Sequence, residues 1–294
     1  MIPVILDTDI GPDCDDAGAL ALLHTLAREV PLRILAMTNC TSNPYANGAI
    51  DVINRAYGQN DIPIGMYDKP GFLCDEKSEV YNKALCLNYE NRFQENQTTP
   101  KALDTIKKAL TCAEDNSVIF IATGPLNNLA DLLKDNDGFE LVRKKVKHLV
   151  TMSCGMEQVE WNVEMDIPSA RLVFEKWPTA VTVTPFETGL NIITGVNFKT
   201  MDLNHPVRVA YKLFNEYHGT GSDGIGRNSW DLTAVWAAIK GSEPFFSLTE
   251  PHNLYINSEG MSIYTPDPNG KVRFLQNKMS EKEIGREIDS LWCD

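Results

Sequence analysis

The sequence lacks a long apolar segment, an excess of basic charge and a paired cysteine motif. No apolar run approaches the ~20 residues needed to cross a bilayer, so we expect a soluble protein with no membrane partner. The formal net charge is −13, and the acidic residues are spread along the chain. Because such a field repels a polyphosphate backbone, nucleic acid is excluded as an expected partner.

The seven cysteines are odd in number and scattered, without the spacing of a zinc site, and reduced thiols are the simplest interpretation. The first predicted strand begins close to Met1 with no basic leader, which favours a cytoplasmic protein, although a removed signal peptide would leave the same start. The cysteines are Cys14, Cys40, Cys74, Cys86, Cys112, Cys154 and Cys293.

The chain has 294 residues with no repeat, low-complexity tract or convincing linker, which favours a single domain over residues 1–294. Short β-rich runs alternate with stretches of helical spacing, a rhythm typical of βαβ units. The predicted strands are 3–7, 32–38, 117–123, 148–152 and 180–185, and the predicted helices are 16–28, 47–57, 100–114, 126–133 and 168–176.

Right-handed crossovers between these elements predict an α/β fold, with a mainly parallel, Rossmann-like open sheet covered by helices on both faces. In such sheets the ligand site lies beyond the carboxyl ends of the strands. The glycine-rich stretch 219–226 follows a polar, aromatic segment rather than a buried strand. It therefore lacks the context of a dinucleotide fingerprint, and we interpret it as a mobile lid.

The strongest signal is a run of aspartates directly after the first predicted strand. Five carboxylates fall within ten residues, at Asp7, Asp9, Asp13, Asp15 and Asp16. Crowded like charges repel one another, and a hard divalent cation with oxygen ligands removes that cost. Calcium fits better than zinc because no histidine lies nearby.

Helix capping is the plainer explanation of these aspartates, since aspartate is favoured at helix amino termini, but one or two residues would suffice for that. An EF-hand is disfavoured because the loop follows a buried strand and lacks the terminal glutamate at the required spacing. A second carboxylate, Asp231, precedes the apolar, helix-like segment 235–239. Asp231 either completes a metal site or begins a helix.

Together these segments resemble the inosine-uridine nucleoside hydrolase family, whose hallmark is D-x-D-P-G-x-D-D-A after a strand. With two residues inserted after Gly11, the residues Asp7, Asp9, Asp15 and Asp16 match this motif. An ungapped alignment instead places Asp13 and Cys14 on the aspartate pair. We prefer the insertion because it keeps the following helix in phase.

Further family segments occur in the family's order and extend the resemblance over roughly the first four fifths of the chain. The segment 121–128 resembles A-T-G-P-L-T-N, and Thr123 inherits the family's carbonyl ligand to calcium. Asn43, Glu160 and Asn162 resemble the residues that contact ribose, and Asp231 resembles the late calcium-binding aspartate.

The resemblance implies hydrolysis of an N-ribosyl bond through an oxocarbenium-like state, which gives ribose and free base. The implied metal ligands are Asp9, Asp16, Asp231 and the carbonyl of Thr123. Asp9 is the expected general base for a water activated by Ca²⁺, and Asp15 is expected to bond a sugar hydroxyl. A homo-oligomer, dimer or tetramer, is expected by analogy with the family.

Three departures from the family bear on the substrate. Trp230 stands where many members active on pyrimidines carry the histidine that protonates the leaving base. With Trp161 and Tyr217 it suggests stacking of a purine or another aromatic leaving group, although a core tryptophan is the alternative. The loop between residues 152 and 160 is short and lacks the family's usual asparagine, which Gln158 would replace. Finally, the insertion carries Cys14, which we interpret as a packing residue.

Two rival functions follow from the same residues. A ribose- or sugar-binding relative would keep the calcium site without turnover, and product formation would distinguish it from an enzyme. A phosphohydrolase with an aspartate nucleophile fits D-x-D after a strand. It also requires a lysine after a later strand, and none stands beside Asp231.

Overall fold

The computed structural model of the protein describes residues 1–94, 99–196, 198, 200–221 and 223–292. Within them ten strands form one sheet, in the order β11-β10-β12-β6-β5-β4-β1-β2-β3, and β9 pairs with β12. These strands are β1 (Ile2–Thr8), β2 (Leu32–Asn39), β3 (Ile64–Met66), β4 (Val118–Ala122), β5 (Val146–Met152), β6 (Ala180–Thr184), β9 (Phe246–Leu248), β10 (His252–Ile256), β11 (Ser262–Pro266) and β12 (Val272–Asn277). A separate two-stranded ribbon joins β7 (Ile193–Thr194) to β8 (Arg227–Asn228).

The helices connect these strands and flank the sheet. They are α1 (Asp15–Glu29), α2 (Ala46–Ala56), α3 (Asn82–Asn88), α4 (Ala102–Thr111), α5 (Asn127–Lys134), α6 (Asn136–Lys145), α7 (Trp161–Met165), α8 (Ile167–Lys176), α9 (Phe186–Gly189), α10 (Pro206–Tyr217), α11 (Trp230–Lys240) and α12 (Glu281–Trp292). A short 3-10 helix spans Glu76–Ser78.

The central strands are buried on both faces because successive side chains point to opposite sides of the sheet. In β1, Val4 and Leu6 join the core beneath α1, α2, α10, α11 and α12, whereas Ile5 joins the core beneath α4, α5, α6 and α8. A parallel sheet needs this double cover, which explains why β1 and β4 are almost continuously apolar. The predicted α/β fold, with a mainly parallel sheet and helices on both faces, is confirmed.

The five predicted strands are all present and differ from the observed strands by only one or two residues at each end. The five predicted helices are also present; the largest difference is at α4, which ends at Thr111 rather than residue 114. The carboxyl-terminal part of the sheet was not predicted; there β9, β10 and β11 run antiparallel to their partners. The single-domain assignment stays a prediction.

In the described residues, no helix is long and apolar enough to cross a membrane. Six of the cysteines are free thiols, and Cys293 lies outside the described residues. Residue 222 of the predicted glycine-rich lid also lies outside them. Nearby, Asp223 forms an ion pair with Arg208 of α10 at 2.5 Å. The lid assignment stays a prediction.

Candidate active site

A cavity of about 630 Å³ opens at the carboxyl ends of β1, β4 and β5, where the amino termini of α1 and α11 also converge. Parallel topology brings these segments together because β1, β4 and β5 run in the same direction and end on the same edge of the sheet. Eight of the nine predicted site residues line the cavity: Asp9, Asp15, Asp16, Thr123, Glu160, Asn162, Trp230 and Asp231.

Three carboxylates form a compact group on one side of the cavity. Asp15, Asp16 and Asp231 each offer one oxygen, and these oxygens lie within 4.8 Å of one another. Asp15 and Asp16 are in the first turn of α1, and Asp231 is in the first turn of α11. All three are buried, and Asp9 is buried beside them. Asp15, Asp16 and Asp231, which we call the acidic cluster, can together hold a metal ion.

Helix capping explains only one contact in the acidic cluster. Cys14 occupies the N-cap position of α1, and no side-chain cap closes that helix. The N–H of Asp231 donates to Oδ2 of Asp15 at 3.1 Å, so Asp15 satisfies one donor at the start of α11. The two helix dipoles add favourable partial charge, but that is too little to neutralise several buried carboxylates.

Burial makes negative charge costly in this group. It raises the pKa of Asp9, Asp15 and Asp231 well above the usual range, and neighbouring carboxylates raise these values further. Burial also raises the pKa of Asp16 to about 7, against a hydrogen bond from Thr8 that lowers it. A bound cation would reverse this balance because it favours the ionised form.

Two of the five clustered aspartates have side-chain partners within the protein, which are hydrogen-bond donors for Asp7 and an arginine for Asp13. Asp7 is fully buried and accepts hydrogen bonds from Thr38 Oγ1 at 2.5 Å and Asn128 Nδ2 at 2.8 Å, which joins β1, β2 and α5. Asp13 pairs with Arg227 at 2.5 Å. Asp9, Asp15 and Asp16 remain for the site.

Thr123 and Asn162 are linked across the cavity floor. The side-chain amide of Asn162 donates to the carbonyl oxygens of Thr123 at 3.1 Å and Met152 at 3.2 Å. The Oδ1 atom of Asn162 is therefore left to accept from a ligand. Gly124 follows Thr123 and passes so close to Asp9 that a Cβ there would lie 2.8 Å from Asp9 Oδ1. Only glycine allows this approach.

Glu160 caps α7 from inside the cavity. Its carboxylate accepts the backbone N–H of Asn162 at 2.8 Å and those of Val163 and Cys154 at 3.2 Å. Burial raises its pKa to about 7 despite these hydrogen bonds. Cys154 has a left-handed φ of +68°, a conformation costly for a non-glycine residue. That backbone turn allows the short loop after β5 to place an N–H on Glu160.

Three other residues named from the sequence lie away from the described cavity lining. The side chain of Asn43 bonds within its own loop region: it donates to Ser78 O at 3.3 Å and accepts from Tyr45 N at 2.9 Å. Gln158 and Tyr217 are exposed, and neither lines the cavity in the part of the chain described. Ribose contact by Asn43 stays a prediction.

Trp230 both lines the cavity and packs against the protein, so it has features of a stacking residue and of a core tryptophan, the two alternatives given from the sequence. Its ring stacks on Phe186 with centroids 5.5 Å apart, and its indole N–H donates to Phe186 O at 2.9 Å. Trp161 is 40% exposed at the same cavity. The site therefore offers aromatic surface where a planar leaving group would stack.

Several cavity residues escaped the sequence reading because nothing local marks them. Asp13 was counted only as one of the crowded acids, and its partner Arg227 lies in the two-residue strand β8. Phe186, Phe214 and His218 also line the cavity. β7 and β8 have only two residues each and α10 lies between them, so the sequence gives no sign of the ribbon or of the Asp13 contact.

The fold and the cavity define an α/β protein with a buried carboxylate site at the carboxyl ends of its parallel strands. The family model described as "Inosine-uridine preferring nucleoside hydrolase" matches residues 4–290, which is nearly the whole chain. The chain therefore belongs to this family, whose members are hydrolases that act on N-glycosyl bonds. The predicted membership is confirmed.

Solved structures share the fold at low sequence identity. An inosine-uridine preferring nucleoside hydrolase from Bacillus anthracis is 15% identical with a TM-score of 0.76, covering 100% of this chain and 99% of that one. A purine-preferring ribonucleoside hydrolase from Gardnerella vaginalis is 18% identical with a TM-score of 0.72, covering 99% and 98%. The type III effector protein XopQ, solved with adenosine diphosphate ribose, is 14% identical with a TM-score of 0.74, covering 99% and 92%. No curated relative matches the chain in sequence.

Proposed function

We propose that the protein hydrolyses the N-glycosidic bond of a ribonucleoside or related N-riboside in a calcium-dependent reaction, giving ribose and free base. The observation that carries this proposal is the position of the acidic cluster and Asp9 beside Thr123, Glu160 and Asn162 in one cavity. Family membership supplies the reaction class, and the aromatic lining favours a purine or another planar leaving group.

The donor set suits calcium. Carboxylate and carbonyl oxygens are the ligands of hard cations, and Asp15, Asp16 and Asp231 already lie within 4.8 Å of one another. Asp9 and the carbonyl of Thr123 would complete the predicted set of ligands. Asp15 is predicted from the resemblance to bind the sugar, but its position beside Asp16 and Asp231 favours a role as a metal ligand. When bound, calcium supplies positive charge that acidifies a water and holds sugar hydroxyls.

Each protein group then has a defined task. Asp9 takes the proton of the attacking water, which adds to the anomeric carbon as the C–N bond breaks. Oε1 of Glu160 keeps a lone pair beyond its one backbone hydrogen bond and accepts from a ribose hydroxyl, as does Asn162 Oδ1. The buried carboxylates stabilise the positive charge that develops on the sugar.

A panel of purine and pyrimidine nucleosides, incubated with calcium-loaded protein and assayed for both ribose and base, tests the proposal. We expect matched release of the two products. Asp9→Asn should lower turnover by about 10²–10⁴-fold, whereas Asp75→Asn, which alters an exposed carboxylate of the same cavity, should not. Release of neither product by the wild type would reject hydrolysis of these nucleosides.

The second candidate is an N-riboside-binding protein without turnover. The similarity to an effector solved with adenosine diphosphate ribose favours keeping it. Calorimetric titration with calcium and a nucleoside would show saturable binding without product in that case. We also propose a homo-oligomer, testable by light scattering, and a cytoplasmic location, testable by cell fractionation.

A further inference from the structure

Arg227 lies at the cavity wall, outside the segments whose residues resemble the family's motifs. The β7–β8 ribbon brings it to the cavity wall, where its guanidinium lies 4.9 Å from the ring centroid of Phe214 and 5.0 Å from that of Trp230. Its side chain is 28% exposed. Contact with two aromatic rings holds the planar group and leaves it partly open to the cavity.

Asp13 fixes the same guanidinium from the opposite segment of the site. Nε and Nη2 of Arg227 donate to the Asp13 carboxylate at 2.9 and 2.5 Å, and Nη1 donates to Asn228 Oδ1 at 3.2 Å. Asp13 belongs to the stretch inserted after Gly11, so a residue outside the family motif holds the Arg227 side chain in place. A guanidinium has five N–H bonds, and these contacts use three of them.

The charge of Arg227 is permanent, which limits what it can do in a reaction. Burial alone would lower its pKa, but hydrogen bonds and charge from Asp13 outweigh burial and raise the pKa above the usual range. Arg227 therefore cannot give up a proton to a leaving base. It can hold a group that becomes negative, because two of its N–H bonds remain to be donated.

We propose that Arg227 recognises the leaving group and stabilises it as an anion, selecting N-ribosides whose departing ring carries oxygen or nitrogen acceptors, such as oxopurines and uracil. This inference rests on the proposed hydrolysis. The C–N bond breaks with its electron pair going to the ring nitrogen, and that charge spreads to acceptor atoms held by Arg227. Water forms the new C–O bond, its proton passes to Asp9, and the ring anion takes a proton from solvent.

A purely structural role for Arg227 makes a different prediction. If the pair with Asp13 only fixes the loop that carries Asp15 and Asp16, its loss would slow every substrate equally. His218, which also lines the cavity, is the competing source of leaving-group assistance as a general acid. Both alternatives are distinguished by comparing a leaving group that needs stabilisation with one that does not.

The experiment measures kcat/KM for the nucleoside cleaved fastest and for 4-nitrophenyl β-D-ribofuranoside, whose phenolate departs as a stable anion without assistance. Arg227→Met should lower the nucleoside value by about 100-fold or more and the nitrophenyl value by less than about 5-fold, the scale of losing one preorganised donor. Arg227→Lys should recover part of the difference. Added guanidinium should rescue Arg227→Met on the nucleoside selectively.

Two control variants accompany these measurements. Arg208→Met removes another partly buried arginine–aspartate pair, with Asp223, from outside the described cavity lining, and should leave the ratio of the two kcat/KM values unchanged. His218→Gln should also leave that ratio near the wild-type value. A nucleoside-selective loss in His218→Gln, without one in Arg227→Met, would assign the assistance to His218 and overturn the inference.

The remaining outcomes separate this inference from the proposed function. Equal losses on both substrates in Arg227→Met, or no loss on either, would overturn leaving-group recognition while hydrolysis stands. Wild-type cleavage of the nitrophenyl riboside but of no nucleoside would reject hydrolysis of these nucleosides and the inference together, since Arg227 would then assist no base. Wild-type protein that cleaves neither compound would reject the hydrolysis and the inference together.

Discussion

Replacing Asp231 by asparagine should make the metal-free protein more stable, because it removes one of three buried, mutually repelling carboxylates. The oxygens of Asp15, Asp16 and Asp231 lie within 4.8 Å of one another. At an effective dielectric of ~20, two unit charges at that separation repel by about 3 kcal/mol. Burial, then neighbouring carboxylates, raises the pKa of Asp231, so part of this repulsion is already relieved by protonation. We expect a net gain of about 1–2 kcal/mol.

The assay is urea unfolding of both proteins, first in chelator and then in calcium. A ligand present at 100 times its Kd stabilises the protein by about 2.7 kcal/mol. The wild type should show that gain, whereas Asp231→Asn, which lacks one carboxylate of the acidic cluster, should show little. The order of stability should therefore reverse between the two conditions.

Asp75→Asn is the matched control because Asp75 is an exposed carboxylate of the same cavity. It should change stability by less than about 0.5 kcal/mol and keep the full calcium response. If Asp231→Asn is less stable than wild type in chelator and gains as much from calcium, the cluster is neither under charge repulsion nor the cation site.

Two further predictions concern buried groups. His24 bonds Asn54 at 2.7 Å, and burial lowers its pKa from 6.5 to about 4, so the unfolded chain takes up its proton first as pH falls. The free energy of unfolding should therefore fall as pH drops from 6.5 to 4, by up to about 3 kcal/mol from His24 alone. The slope of unfolding free energy against pH should be smaller in His24→Gln. Equal slopes in the two proteins would contradict the burial argument. Gly124→Ala should displace Asp9 and lower kcat/KM by about 100-fold with a small change in Tm, and retained activity would show that the close approach is not required.

The central sheet could be predicted because its strands are continuous apolar runs of the length that parallel strands need. Burial on both faces leaves this signature in β1 and β4, and a longer apolar stretch, buried over most of its length, follows β1 as α1. The antiparallel strands near the carboxyl end could not be assigned in the same way. β10 alternates between exposed and buried positions over only five residues, and β11 has a single buried residue in five, so the pattern is weak.

In the site, sequence reasoning found residues grouped by motif but not the partners that tertiary contact supplies. Asp9, Asp16 and Asp231 follow a strand or begin a helix, so topology brings them together. Asp7 and Asp13 look equivalent to them in the sequence. Only the packing of distant segments shows that Thr38 and Asn128 donate hydrogen bonds to Asp7, and that Arg227 forms an ion pair with Asp13.

The most direct test of the central claim is a titration of metal-free protein with calcium, following nucleoside hydrolysis and bound metal in the same samples. We expect no turnover in chelator and a rise in activity that is complete at one calcium per chain, with both the activity and the bound metal lost in Asp16→Asn. Full activity in chelator, or calcium bound at one per chain by Asp16→Asn as tightly as by wild type, would contradict it.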